Sequence, residues 1–253
     1  MPIIQTNNRK THILELNPEA SETIVMVHGM FTNLSIFYFN IAPELAKKYH
    51  VVMYDLRSHG LSGKIDNGYD LETLSNDLMD LLNHLNLSKV DLVGYSFGGL
   101  IALYTAIHHQ DKIKKLAIID SPITDKNGDT EQILEKYGNE YIEHYMKNYS
   151  ISTNITPNNK QLEKSKKLFD FLLHETSMPQ DLIKDKNFST EKNMSLIKNK
   201  TLLLYGNESD CLPDGKLLNT YIPDSTLFSG TGDHNIPIQN PEWINEKLSE
   251  FFT

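Results

Sequence analysis

A single cysteine, Cys211, stands in 253 residues, which excludes an internal disulfide framework. A basic excess is missing too: 24 lysines and arginines face 33 aspartates and glutamates, a formal net charge of −9. A nucleic-acid-binding surface needs the opposite balance. No apolar run approaches the roughly 20 residues of a membrane span. The opening stretch, MPIIQTNNRKTHILEL, lacks the apolar core and cleavage site of a secretory leader. No H-E-x-x-H metal motif, internal repeat or low-complexity tract occurs. These absences set the expectation of a cytoplasmic protein that works without nucleic acid, membrane or metal. What is present is enough apolar material, 39% of residues with 9% aromatic, for a sizeable core.

Six short apolar runs punctuate the chain: ETIVMVHG (22–29), HVVMYDL (50–56), KVDLVGYS (89–96), KIKKLAIID (112–120), KTLLLYG (200–206) and STLFSG (225–230). Near-continuous apolar character predicts strands buried on both faces, hence a parallel sheet. The first 16 residues read as one or two antiparallel strands at a sheet edge. Helical patterns lie between the runs. In DLETLSNDLMDLLNHLN (70–86), Leu71, Leu74, Leu78, Leu81, Leu82 and Leu85 make one apolar stripe, with Asp70 placed to cap its start. FGGLIALYTAIHH (97–109) and PEWINEKLSEFF (241–252) are two more helices. This alternation predicts an α/β, doubly wound, mostly parallel sheet.

The alternation stops between about Ser121 and Asn199. That stretch offers two amphipathic patterns, 130–149 and 159–176, separated by SISTNITPNN, and no strand-like run. The chain therefore divides into a core of residues 1–120 and 200–253 and a helical insertion over 121–199.

One short motif carries chemistry. Gly94-Tyr95-Ser96-Phe97-Gly98 fits G-x-S-x-G, with a strand pattern before it and a helix pattern after it. A serine on such a corner is exposed at the end of the sheet, and glycines leave room for the tight turn. A hydroxyl is a weak nucleophile until a base takes its proton. Of ten histidines, His234 stands apart: it follows the last strand, in the loop SGTGDHNIPIQNPEWI before the final helix. The chain order serine, acid, histidine expected of this topology places the base there. His108 and His109 end a helix, where a cation is favourable without any function.

Together, VHGM (27–30), YDLRSHGLS (54–62), GYSFGG (94–99), GNESD (206–210) and GDHNIPIQNPE (232–242) resemble the α/β-hydrolase fold superfamily, in its capped serine esterase and C–C hydrolase branch. The resemblance covers nearly the whole chain. It implies a helical cap after the sixth strand of the sheet, where the insertion lies. It implies a triad acid after TLLLYG, among Glu208, Asp210 and Asp214, and GNESD points to Asp210. Asp120, ending AIID, is the alternative, because some relatives carry the acid there. The oxyanion donors are then the backbone N–H groups of Phe97 and Met30. His28, Asp55, Arg57 and Gly60 match architectural positions, and Cys211 reads as a small buried side chain.

The expected reaction is cleavage of a carboxylic ester or lactone of a small to medium-sized hydrophobic substrate, through an acyl-enzyme on Ser96 and without a cofactor. Phe31 and, from the insertion, Tyr137, Tyr141 and Tyr145 at helical spacing are candidates to line the substrate pocket. A C–C bond hydrolase, a thioesterase or a menaquinone-pathway-type lyase would share the triad. The lyase needs arginines to hold carboxylates, and Arg9 and Arg57 are the only two in the chain. Epoxide hydrolases use an aspartate where Ser96 stands. A receptor that keeps the triad is the alternative of another class.

Overall fold

The computed structural model describes residues 2–7, 9–124, 147 and 159–253. Eight strands form one sheet: β1 (Ile3–Thr6), β2 (Arg9–Leu16), β3 (Thr23–Val27), β4 (His50–Tyr54), β5 (Val90–Tyr95), β6 (Ile113–Ile119), β7 (Thr201–Gly206) and β8 (Ser225–Gly230). Their spatial order is β1-β2-β4-β3-β5-β6-β7-β8. β1 pairs with β2, and β2 with β4, in antiparallel fashion; the remaining pairings are parallel. All six apolar runs are strands, and the N-terminal residues form the antiparallel edge.

The run-like character of the central strands has a direct cause. Successive side chains point to opposite faces. Val25, Val27, Val52 and Leu92 enter one core cluster, while Ile24, Met26, Val51 and Val93 enter the other. Both faces need apolar residues, so no polar alternation survives. β8, at the free edge, is partly exposed along its length.

Among the described residues, the helices are α1 (Ser35–Tyr38), α2 (Ala42–Leu45), α3 (Leu71–His84), α4 (Phe97–His108), α5 (Asn159–His174), α6 (Met178–Lys184), α7 (Glu191–Met194), α8 (Leu212–Tyr221), α9 (Ile236–Gln239) and α10 (Pro241–Phe252). α1, α2 and α10 bury side chains on one face of the sheet, and α3, α4 and α8 on the other. In α3 the Asp70 carboxylate accepts the Thr73 N–H at 2.8 Å. Leu71, Leu74, Leu78, Leu81 and Leu82 are buried. Each buried leucine is worth roughly 1.5–3 kcal/mol, against about 1 kcal/mol for the cap. Packing therefore holds the helix, and the cap sets where it begins.

Between β6 and β7 the described residues form α5, α6 and α7 and no strand. Leu172, Met178, Phe188, Met194 and Ile197 pack into the same core cluster as α3 and α4. α6 also ties itself to the start of α3. Asp181 accepts the Tyr69 N–H at 2.9 Å and Asp185 accepts the Leu71 N–H at 2.8 Å. Of the helix expected over 130–149, only Lys147 is among the described residues, and it is helical.

The chain leaves β3 toward β4 on one side, and the later strands extend from β5 on the other. Loops at the carboxyl ends of β3 and β5 diverge at such a switch point and open a crevice there.

Candidate active site

Ser96 ends β5 and begins α4 with φ +53° and ψ −124°, a left-handed backbone that a side chain adopts only under constraint. The constraint is visible on both sides. Ser96 N–H donates to the Ile119 carbonyl at 2.9 Å, and the Ser96 carbonyl accepts from Gly99 N–H at 2.8 Å. A Cβ on Gly94 would lie 2.4 Å from the Gly98 oxygen, and one on Gly98 would lie 2.2 Å from the Val27 oxygen. The corner is bare because two strands and a helix meet on it.

Ser96 Oγ lies 2.9 Å from His234 Nε2. His234 Nδ1 lies 2.9 Å from Asp120 Oδ1. The Asp120 side chain is 0% exposed and that of His234 23%. Asp120 follows β6 with φ +44°. Its Oδ2 accepts the Gly206 N–H at 2.6 Å, and its Oδ1 also accepts the Ser209 hydroxyl at 2.5 Å. Donors from β7 and the loop after it thus fix the carboxylate against the imidazole.

This corrects the expectation for Asp210. Asp210 is exposed and makes no hydrogen bond or ion pair among the described residues. The reason is the turn after β7: Ser209 N–H bonds back to the Gly206 carbonyl at 3.2 Å, so residue 209 faces inward and residue 210 faces solvent. Glu208 is exposed as well, and Asp214 accepts the Ile123 N–H at 3.2 Å. Asp120, the alternative, stands behind His234.

Met30, in the loop after β3, and Phe97, which opens α4 after β5, lie at the same end of two adjacent parallel strands. Neither N–H is consumed by a backbone hydrogen bond among the described residues. The neighbouring Phe31, at φ +62°, gives its N–H to His59 Nε2 at 3.1 Å. His59 Nδ1 donates to the Arg57 carbonyl at 2.9 Å, which fixes the tautomer. Burial, with His28 nearby, pushes the His59 pKa down to about 3, so its ring is neutral and free to accept. His28 braces the same loop. Its Nδ1 donates to the Gly29 carbonyl at 2.7 Å, its Nε2 accepts the Leu56 N–H at 3.0 Å, and burial lowers its pKa.

A family model described as alpha/beta hydrolase fold matches residues 22–252. The chain belongs to this family. It is 27% identical over 246 residues to the uncharacterized hydrolase YugF of Bacillus subtilis, covering 91% of this chain and 89% of that protein. It is 34% identical over 97 residues to the soluble epoxide hydrolase of Corynebacterium sp. (strain C12), a match spanning 38% of this chain and only 34% of that protein. Among solved structures, the enol-lactonase from Burkholderia xenovorans LB400 superposes with a TM-score of 0.74 at 19% identity, over 99% of both chains. That likeness is one of fold.

In this alpha/beta hydrolase the remaining expected residues fall as follows. Asp55 accepts the Leu34 and Leu61 N–H groups at 2.9 and 2.8 Å, and Arg57 pairs twice with Asp77, so both are architectural. The ring of Phe31 meets that of Phe169 on α5 with centroids 5.1 Å apart. Tyr137, Tyr141 and Tyr145 lie outside the described residues. Among the described residues, no helix is long and apolar enough to cross a membrane.

Sequence reasoning missed three supports of the site. Ser209 and His59 are two of them. The third is Tyr95, whose hydroxyl donates to the His234 carbonyl at 2.9 Å and whose ring stacks on the imidazole at 5.4 Å. Tyr95 fills a variable position of the motif, and no pattern in the sequence marks it. Cys211 is placed differently from expectation too: it is half-buried, with Sγ 3.7 Å from His234 Nδ1.

Proposed function

We propose that this chain is a serine hydrolase that cleaves a carboxylic ester or lactone of a small to medium-sized hydrophobic molecule. The observation that carries this is the continuous relay from Ser96 Oγ to His234 Nε2 and from His234 Nδ1 to Asp120, at 2.9 Å for each contact. His234 takes the Ser96 proton as Ser96 attacks the carbonyl carbon. Asp120 holds the imidazole in the tautomer that leaves Nε2 free to accept, and it stabilises the imidazolium that forms. The Met30 and Phe97 N–H groups receive the charge that develops on the carbonyl oxygen. His234 then protonates the leaving alcohol, and water repeats the sequence on the acyl-enzyme to release the acid.

Residues 121–199 act as a cap in this reading. The contact between Phe169 of that segment and Phe31 beside the oxyanion loop supports it. Apolar rings at that point suit an apolar acyl or alcohol group.

The test is labelling with a fluorophosphonate, followed by a hydrolysis panel of short and long acyl esters, lactones and thioesters. Ser96 is labelled and Ser96→Ala is not; the panel gives sustained turnover on esters or lactones. Labelling that survives in Ser96→Ala overturns the nucleophile, and a single burst without turnover would make the chain a receptor instead.

A further inference from the structure

We propose that Asp120, Cys211 and His234 form an inhibitory site for a thiophilic divalent cation, with Zn²⁺ as the best fit. The cation's effect on catalysis rests on the hydrolase reading above; its binding does not. The three side chains offer a carboxylate, a thiolate and an imidazole, the donor types that zinc takes. Their ligand atoms all lie within 4.8 Å of one another. Cys211 Sγ is 3.7 Å from His234 Nδ1, and Nδ1 is 2.9 Å from Asp120 Oδ1. Around a tetrahedral ion with bonds of about 2.0–2.3 Å, ligand atoms stand about 3.3–3.6 Å apart. The first separation is therefore close to the ideal, the second must open by about 0.4 Å, and the third, between Asp120 and Cys211, lies within 4.8 Å and closes by up to about 1.2 Å through rotation of the Cys211 side chain.

Ser209 links two of the ligands: its hydroxyl donates to Asp120 Oδ1 at 2.5 Å and accepts the Cys211 N–H at 3.1 Å. Such outer contacts orient metal ligands. Asp120 is buried while Cys211 and His234 are half-buried, so the cluster is not sealed from solvent. A carboxylate and a thiolate together balance the two charges of the ion. The thiolate favours zinc or cadmium over magnesium or calcium, which prefer oxygen donors.

The consequence is a tautomer switch. As the ion binds, the thiol proton leaves to solvent, and the imidazole proton moves from Nδ1 to Nε2. Nε2–H then faces Ser96 Oγ and cannot accept its proton. Ser96 stays in place but has no base.

The experiment has two arms on the intact chain. In the first, chelator-treated protein is titrated with Co²⁺. Wild type develops a thiolate-to-cobalt absorption band, which Zn²⁺ displaces, and Cys211→Ala does not. In the second, Ser96 labelling by the fluorophosphonate is timed. Micromolar Zn²⁺ slows wild type at least tenfold and EDTA restores it. Cys211→Ala still labels without metal, which shows it is folded, and its zinc sensitivity is scored against its own metal-free rate. It needs on the order of 100-fold more Zn²⁺ for the same effect, since even an outer partner is worth about 10–100-fold in affinity. Absence of the cobalt band in wild type, or equal zinc sensitivity in Cys211→Ala, overturns the proposal. Failure of metal-free wild type to label would overturn the hydrolase reading instead, and the cobalt band would still decide the metal site.

Discussion

The Ser209 hydroxyl is aimed at the same Asp120 oxygen that faces His234, 2.5 Å away. The two come from neighbouring strands: the residue after β6 supplies the carboxylate, and the loop after β7, where the triad acid was expected, supplies a donor to it.

Replacing Asp120 by Asn should lower turnover by a factor on the order of 10³–10⁴, the cost of an imidazole held in the wrong tautomer. Asp210→Asn, at an exposed position, should stay within about twofold of wild type, because surface changes away from such features have little effect. The measurement is kcat on any ester the panel identifies, or the labelling rate of Ser96. The reverse ranking would return the acid to Asp210.

Ser209→Ala removes one of the donors to Asp120. The remaining negative charge is less shared and favours the imidazolium more, so the acidic limb of the kcat/KM profile should move to higher pH. Stability should fall by about 1.5–3 kcal/mol, the range for a hydrogen bond to a charged group. Ser209→Thr keeps the hydroxyl and should restore both. A profile that loses height without moving would reduce Ser209 to a packing role.

The reach of the sequence can be judged on particular residues. The six apolar runs and the Leu71–Leu82 stripe were legible because burial on two faces, or on one helical face, leaves a period in the chain. Ser96 and His234 were legible because a strand-to-helix corner and a last-strand loop fix where they must lie. The short helices α1, α2, α7 and α9 were not, since one turn carries no measurable period. The sequence ranked Asp210 ahead of Asp120: both follow predicted strands, and what reverses their positions is a single turn at Gly206–Ser209 that directs residue 209 inward and residue 210 out. Tyr95 and His59 act through an oxygen and a nitrogen whose partners are far away in the chain.

Asp185 should set a pH dependence of stability. It is half-buried, and burial raises its pKa to about 6, with Asp70 and Asp181 adding to the rise and the Leu71 N–H and Lys184 opposing it. A carboxyl with a raised folded pKa contributes its stability fully below the unfolded value, near 3.9, and loses it as pH rises through 6. Asp185→Asn keeps an oxygen for Leu71 N–H and carries no charge. Its Tm should match wild type at pH 4 and exceed it at pH 8. An equal difference at both pH values would remove Asp185 from the account.

His59 should act in the opposite direction. Its ring is buried and its pKa lies at about 3, against about 6.5 in an unfolded chain. Between these values the unfolded state binds one more proton than the folded state. The stability contributed by the neutral ring is therefore complete above pH 6.5 and is lost as pH falls toward 3, at about 1.4 kcal/mol per pH unit. His59→Gln removes the titration while its side-chain oxygen can still accept the Phe31 N–H. Urea midpoints measured from pH 7 to pH 4 should fall less steeply in the variant, by up to one proton's worth of slope. The same variant tests the brace on the oxyanion loop: with Phe31 N–H still held, Ser96 labelling at pH 7 should stay near wild type, whereas His59→Ala, which leaves that N–H without its acceptor, should slow it. Parallel slopes for His59→Gln and wild type would mean that His59 takes up its proton over the same pH range in the folded protein as in the unfolded chain, so that its burial adds nothing to the acid sensitivity.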